Sequence, residues 1–166
     1  MPGTPTWCSR RCTARSVALT EGFRYGREVL VEERIEGSEI TAGILDLGTP
    51  EPFPLIEIRT PAGAWYDYAH RYTAGLSEHV IPATLPAGAY RAVQETAVAA
   101  HRVLGCRHLS RADFAVTADG RIALLEVNTM PGMTPSSLYP DAARSAGYSF
   151  EALARVLVRQ ALAAPG

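Results

Sequence analysis

Asp113, Glu126 and Asn128 are oxygen donors that one hairpin could bring to a single spot, with Arg111 beside them. They lie on two β-branched and apolar runs, 110–118 and 121–128, that flank Asp119-Gly120. That dipeptide signals a two-residue hairpin turn of type I′, which needs positive φ at both central residues. Ala118 then faces Arg121, Asp113 faces Glu126 and Arg111 faces Asn128. Side chains alternate along a strand, so these four share one face. Ala112, Phe114, Val116, Leu125 and Val127 take the other face, which is apolar and is read as core. Two carboxylates opposite one another repel. A hard divalent cation relieves that repulsion, and an Asp, Glu and Asn oxygen set suits magnesium or manganese. A one-residue slip or bulge would put Asp113 and Glu126 on opposite faces. The plainer alternative is an exposed hairpin face with solvated charges.

The elements that must position these residues follow from the periodicity. Val17 to Tyr25 reads as a short helix stopped by Gly26. Glu28 to Ile35 reads as a strand, Glu36-Gly37-Ser38 as a turn, Glu39 to Leu47 as a second strand and Pro54 to Arg59 as a third. Pro61 to Gly75 reads as an irregular aromatic loop containing Trp65, Tyr66, Asp67, Tyr68, His70, Arg71 and Tyr72. Glu78 to Ile81 is short and extended. Pro86 opens a long helix on which Tyr90, Val93, Ala97, Ala100 and Leu104 recur at helical spacing, with Gly105 as its stop. Pro135-Ser136-Ser137 reads as a helix start, and Ser149 caps a last helix with Phe150, Leu153, Val156 and Leu157 inward. The order predicts an α+β fold: a mainly antiparallel sheet with packed helices.

Composition narrows the function classes. The chain has 166 residues, enough for one domain with a core, a formal net charge of −1, and 47% hydrophobic and 20% charged residues. Nothing there points to nucleic acid or an anionic membrane, and no apolar run is long enough to span a bilayer. Cys8, Cys12 and Cys106 make neither a disulfide framework nor a zinc site, so a reducing, cytoplasmic setting is expected. All 16 basic residues are Arg. Residues 1–16 are rich in Pro, Thr and Arg and read as a disordered terminus, residues 17–163 as the domain and 164–166 as a tail.

Several runs together resemble the C-terminal half of D-alanine–D-alanine ligase, an ATP-grasp enzyme. They are Val29-Leu30-Val31-Glu32-Glu33, Tyr66-Asp67-Tyr68 with Arg71-Tyr72, Gly105-Cys106 followed by Arg111-Ala112-Asp113, and Leu125-Glu126-Val127-Asn128-Thr129-Met130-Pro131-Gly132-Met133-Thr134. The resemblance covers roughly residues 17 to 160, about half of the family's length. It implies a C-terminal ATP-grasp-like subdomain in which ATP phosphorylates one D-alanine and the amine of a second attacks the acyl phosphate, giving a dipeptide for peptidoglycan.

By the same resemblance, Asp113, Glu126 and Asn128 match the magnesium ligands. Arg111 and the backbone N–H of Gly132 match the groups that stabilise the tetrahedral intermediate. Tyr72 matches a residue of the loop that closes over the acyl phosphate, and Ser137 and Leu138 match the positions that hold the second D-alanine. Glu32, main-chain groups of Glu33 and Ile35, Glu39 and Arg71 match the ATP-binding set. His70, His79, His101 and His108 match no functional position.

The chain also departs from the family. The N-terminal substrate domain has no counterpart, nor does the central subdomain with two ATP-binding lysines and a phosphate loop. Arg71 stands where Lys is usual, a broad fork in place of a compact ammonium. The expected partners are therefore ATP, D-alanine and the N-terminal half of the ligase in cis or trans, with room for a homodimer. The expected function is the ATP- and metal-binding part of the ligase, inactive alone. The alternatives are a pseudoenzyme or binding module without turnover, and another ATP-grasp carboxylate–amine ligase.

Overall fold

The computed structural model describes residues 15–59 and 78–163. Residues 1–16 of the expected terminus fall almost wholly outside this range, as do Cys8, Cys12, the aromatic loop with Tyr66, His70, Arg71 and Tyr72, and the tail. The chain divides into two compact units, Met1–Arg34 and Ile35–Gly166.

In the first unit, residues 15–22 form helix α1, ended by a turn over 23–25. Glu21 serves both Arg24, at 2.9 Å, and the hydroxyl of Tyr25, at 3.3 Å. Val29 packs against Gly22, where a Cβ would come within 3.1 Å of it. The strand expected over Glu28–Ile35 does not form. Leu30 and Val31 are largely exposed. A strand is stable only in a ladder, and β-propensity alone does not supply one.

The second unit is a six-stranded antiparallel sheet with helices on both faces. Its strands are β1 (Ser38–Asp46), β2 (Pro50–Pro52), β3 (Ile56–Arg59), β4 (Glu78–Val80), β5 (Leu109–Val116) and β6 (Ile122–Asn128). The spatial order is β4-β3-β1-β5-β6, with β2 paired to the far end of β1. The helices are α2 (Ala87–Val103), α3 (Leu138–Ser145) and α4 (Phe150–Ala163).

Alternation sorts the side chains to two cores. Ile40, Ala42 and Ile44 of β1 and Ala112, Phe114 and Val116 of β5 meet Val93 and Ala97 of α2 on one face. Leu45, Phe53 and Ile56 meet Tyr139, Ala143 and Leu153 of α3 and α4 on the other. His101 is buried in α2, within 2.7 Å of the Ser110 hydroxyl and 3.4 Å of Asp46, and so ties α2 to β1 and β5 by polar contacts. Ser149 caps α4 as expected, accepting from the N–H of Ala152 at 3.1 Å. Phe150, expected to face inward, is 37% exposed, and Leu104, at the C-cap of α2, is 62% exposed.

The hairpin turn differs from the expected one. Gly120 has φ +89°, but Asp119 does not have positive φ. The Gly120 N–H donates to Thr117 O, and Val116 pairs with Ile122. The loop is therefore one residue longer, a turn followed by a left-handed glycine. The Thr117 hydroxyl bonds the Asp119 carboxylate within this turn. This shifts the register by one through Phe114↔Leu124. A bulge between Asp113 and Phe114 then restores it, so that Asp113 faces Glu126 and Arg111 faces Asn128 as expected. The inserted residue is Leu125, which is 56% exposed rather than core, while Phe114 is 1% exposed. Phe114→Ala is expected to cost about 3–5 kcal/mol of unfolding free energy. Leu125→Ala is expected to cost under about 0.5 kcal/mol. Urea denaturation of the two variants measures both.

Candidate functional site

The register builds the site as two transverse rows of side chains. Thr41 on β1 pairs with Asp113 on β5, which pairs with Glu126 on β6. Two residues along, Gly43 pairs with Arg111, which pairs with Asn128. Both rows lie on the α3–α4 face.

Asp113 is closely held. The Arg111 guanidinium donates through Nε to Oδ1 at 2.9 Å and through Nη2 to Oδ2 at 2.7 Å. The same Nη2 lies 3.9 Å from Glu126 Oε1, so the two carboxylates converge on one cation. The Thr41 hydroxyl donates to Asp113 Oδ1 at 2.6 Å. Arg111 and Thr41 are buried, whereas the Glu126 side chain is 57% exposed and opens the site to solvent. The Asn128 amide oxygen accepts from the Met130 N–H at 2.9 Å, which fixes how the chain leaves β6.

These donors fit a hard divalent ion. Two carboxylates and an amide oxygen are the ligands magnesium takes, and such an ion keeps open positions for water or phosphate oxygens. Among the described residues no cluster of three or more His, Cys, Asp or Glu offers a fuller cage. The guanidinium bonds one carboxylate and reaches toward the other, and its charge offsets their repulsion.

The loop after β6 and the start of α3 form the second part. Ser137 precedes α3 with extended backbone, but its hydroxyl does not cap the helix. It turns back, 2.7 Å from the Thr134 hydroxyl, and accepts from the Thr134 N–H at 3.2 Å. Gly132 lies beside it: a Cβ there would come within 2.9 Å of Ser137 Oγ. Gly132 and Ser137 are thus brought together. The Leu138 side chain is buried in the second core, so its exposed functionality is main-chain.

Tyr139 seats α3 on the sheet. Its ring lies over Gly43, where a Cβ would come within 3.1 Å of it, and packs against Phe53 with centroids 5.4 Å apart. Its hydroxyl donates to Ile44 O at 2.9 Å. Asp141 adds a polar tie, accepting from His79 of β4 at 2.8 Å and from Arg144 at 2.7 Å, while Arg144 also holds Pro135 O.

Of the residues matched to ATP, Glu32 and Glu33 belong to the first unit and are exposed; Ile35 and Glu39 belong to the second, Glu39 on β1 opposite Ala115. Arg71 and Tyr72 lie outside the described residues. Sequence reasoning missed Thr41, Gly43, Tyr139 and Asp141. A glycine inside the strand pattern at 43 was a signal of close approach; the others had none.

The sheet, the rows on it and the helices on its second face define an α+β subdomain of the ATP-grasp type. A family model described as the C-terminus of D-ala D-ala ligase matches residues 11–159, and the chain belongs to that family. The D-alanine–D-alanine ligase of Geotalea uraniireducens is 47% identical over 148 residues, covering 89% of this chain and 46% of that protein. The one from Pelotomaculum thermopropionicum is 47% identical over 145 residues, covering 87% and 45%. Among solved structures, the Bacillus anthracis D-alanine–D-alanine ligase complexed with ATP matches with a TM-score of 0.75 at 30% identity, covering 90% of this chain and 46% of that one. VanG, the D-Ala:D-Ser ligase of Enterococcus faecalis, matches with a TM-score of 0.73 at 34% identity, covering 89% and 43%. The chain thus spans about half the length of the relatives it matches. No helix among the described residues is long and apolar enough to cross a membrane.

Burial raises the Tyr139 phenol pKa well above the ordinary tyrosine range, with a smaller contribution from Tyr148. Below about pH 10 both folded and unfolded chains hold this proton, so it has no effect on stability. Above that, the unfolded chain ionises while the folded one does not, and stability falls as pH rises. The chain has no Lys to add to the titration in that range. Urea midpoints measured across it are expected to drop for the wild type. Tyr139→Phe is expected to be less stable at neutral pH but to lose less on going alkaline.

Proposed function

We propose that this chain is the metal- and nucleotide-facing half of a D-alanine–D-alanine ligase, acting with an N-terminal half in ATP-dependent joining of two D-alanines. The observation that carries the reading is the pairing of Asp113 with Glu126 across the hairpin, one guanidinium reaching both, on a chain whose relatives are these ligases.

In this reading Asp113, Glu126 and Asn128 hold magnesium or manganese. Such an ion, when bound, neutralises charge on the β- and γ-phosphates during phosphoryl transfer. Glu32, Glu33, Ile35, Glu39 and Arg71 contact ATP. Tyr72 belongs to the loop that shields the acyl phosphate from water. Arg111 and the Gly132 N–H stabilise negative charge on the oxygen that develops as the second amine attacks. Ser137 and the main chain at Leu138 orient that second D-alanine; the Gly132–Ser137 contact supports a shared role, since one group would hold the nucleophile beside the other.

Magnesium or manganese is expected to raise the melting temperature of the chain, and Glu126→Ala to abolish the rise. An unchanged rise in that variant would count against the site. The 166-residue chain assayed by itself with ATP, magnesium and D-alanine is expected to form no dipeptide. Positioning and water exclusion provide most of the barrier reduction in such chemistry, and this chain spans only about half the length of the relatives it matches. Adding the N-terminal half of a related ligase is expected to restore dipeptide formation above a Glu126→Ala control. Dipeptide from the chain alone would show that the second half is dispensable.

A further inference from the structure

We infer that Thr41 is a positioning residue for the cation site: its hydroxyl would hold the Asp113 carboxylate in a ligating orientation when a divalent ion competes with the Arg111 guanidinium for it. The inference rests on the metal reading of Asp113 and Glu126.

Asp113 has two orienting partners of different kinds. Arg111 grips both carboxylate oxygens, at 2.9 and 2.7 Å, and carries a positive charge. A divalent ion seated between Asp113 and Glu126 is repelled by that charge at close range. The guanidinium would then loosen its hold on Asp113. Once it does, Asp113 needs another restraint to stay turned toward Glu126.

Thr41 supplies that restraint. It is 2% exposed, so water does not compete for its hydroxyl. That hydroxyl has one proton and two acceptors in reach, Asp113 Oδ1 at 2.6 Å and Ala112 O at 3.5 Å. The short distance marks a charge-assisted bond to the carboxylate. The donor is neutral, so it adds no repulsion toward a cation, and it engages Oδ1 alone, leaving Oδ2 to ligate. Its placement is rigid as well. Thr41 pairs with Asp113 in the β1–β5 ladder, and a β-branched side chain has few rotamers. Hydrogen-bonding partners of metal ligands commonly fix ligand orientation in this way.

The test is Mn2+ binding to the full chain, read by the paramagnetic signal of the free ion, with circular dichroism and melting temperature as folding controls. Thr41→Val, which keeps the shape and loses the hydroxyl, is expected to weaken Mn2+ binding about 10- to 100-fold. Thr41→Ser is expected to bind like the wild type. Arg111→Gln is expected to bind more tightly, because it removes the competing charge. Should the valine variant not fold, Thr41→Ala against Thr41→Ser makes the same comparison, since that pair differs only in the hydroxyl.

Wild-type affinity in a folded Thr41→Val or Thr41→Ala variant, while Glu126→Ala loses binding, would overturn the role of Thr41 and leave the metal site standing. Weakening in Arg111→Gln equal to that in Thr41→Val would make Arg111 the orienting group and also overturn it. No saturable Mn2+ binding by the wild type, or binding that Glu126→Ala leaves unchanged, would remove the metal reading and this inference together.

Discussion

Asp113 and Glu126 face one another across β5 and β6, and the electrostatic cost of that placement organises the surrounding structure. Like charges directly opposite in a strand pair are destabilising, so the pair is tolerated only with something positive beside it. Arg111 meets that need, bonded to Asp113 through both oxygens and 3.9 Å from Glu126. Thr41 adds a neutral donor from β1. Three strands are thereby joined by side chains as well as by their ladders. Glu126 remains half exposed while Arg111 and Thr41 are buried, so the repulsion is relieved from inside the fold and the open side faces solvent.

The two faces of the sheet divide the work. The α2 face is a continuous apolar core of Ile40, Ala42, Ile44, Val93, Phe114 and Val116, and it sets the strands in register. The opposite face is apolar only where α3 and α4 cover it, and it becomes charged toward β6. Gly43 marks the transition. It admits the Tyr139 ring on one side of the sheet surface and lies in the same row as Arg111. The docking of α3 is therefore tied to the charged rows by a single close approach. Ser137, one residue before that helix, is carried to Gly132 by the same seat. The His79–Asp141–Arg144 ties hold the far side of α3 and the Pro135 carbonyl, and the Asn128 amide oxygen holds the Met130 N–H, so the loop between β6 and α3 is anchored at both ends.

Such an arrangement suits chemistry in which charge must be neutralised and reactants held still, with little covalent work for the protein. Arg111, Asp113, Glu126 and Asn128 lie on the sheet, where backbone hydrogen bonds fix their spacing. Gly132 and Ser137 lie on the loop that leads from it. The ligases this chain resembles are about twice its length, and a reaction that must exclude water needs walls on more than one side.

The local chemistry was legible in the residues. Alternation across 110–128 separated Ala112, Phe114 and Val116 from Arg111 and Asp113, and the long helix and the Ser149 cap followed from periodicity and side-chain type. The Asp113–Glu126 pairing was reached from the sequence too, but through a two-residue turn that the chain does not make. A turn one residue longer and a bulge at Leu125 offset one another, because each moves the register by one. Neither the φ of Asp119 nor the place of a bulge is encoded in the alternation, which records only which face each side chain takes. The strand expected over Glu28–Ile35 failed for a related reason, since pairing is a property of two segments. Thr41, Gly43 and Tyr139 meet the site only through the β1–β5 register and the seat of α3. The sequence determined which residues could bear charge, bury or cap. Tertiary structure decided which of them meet, because contacts between segments far apart in the chain are set by the collective packing of the sheet and its helices.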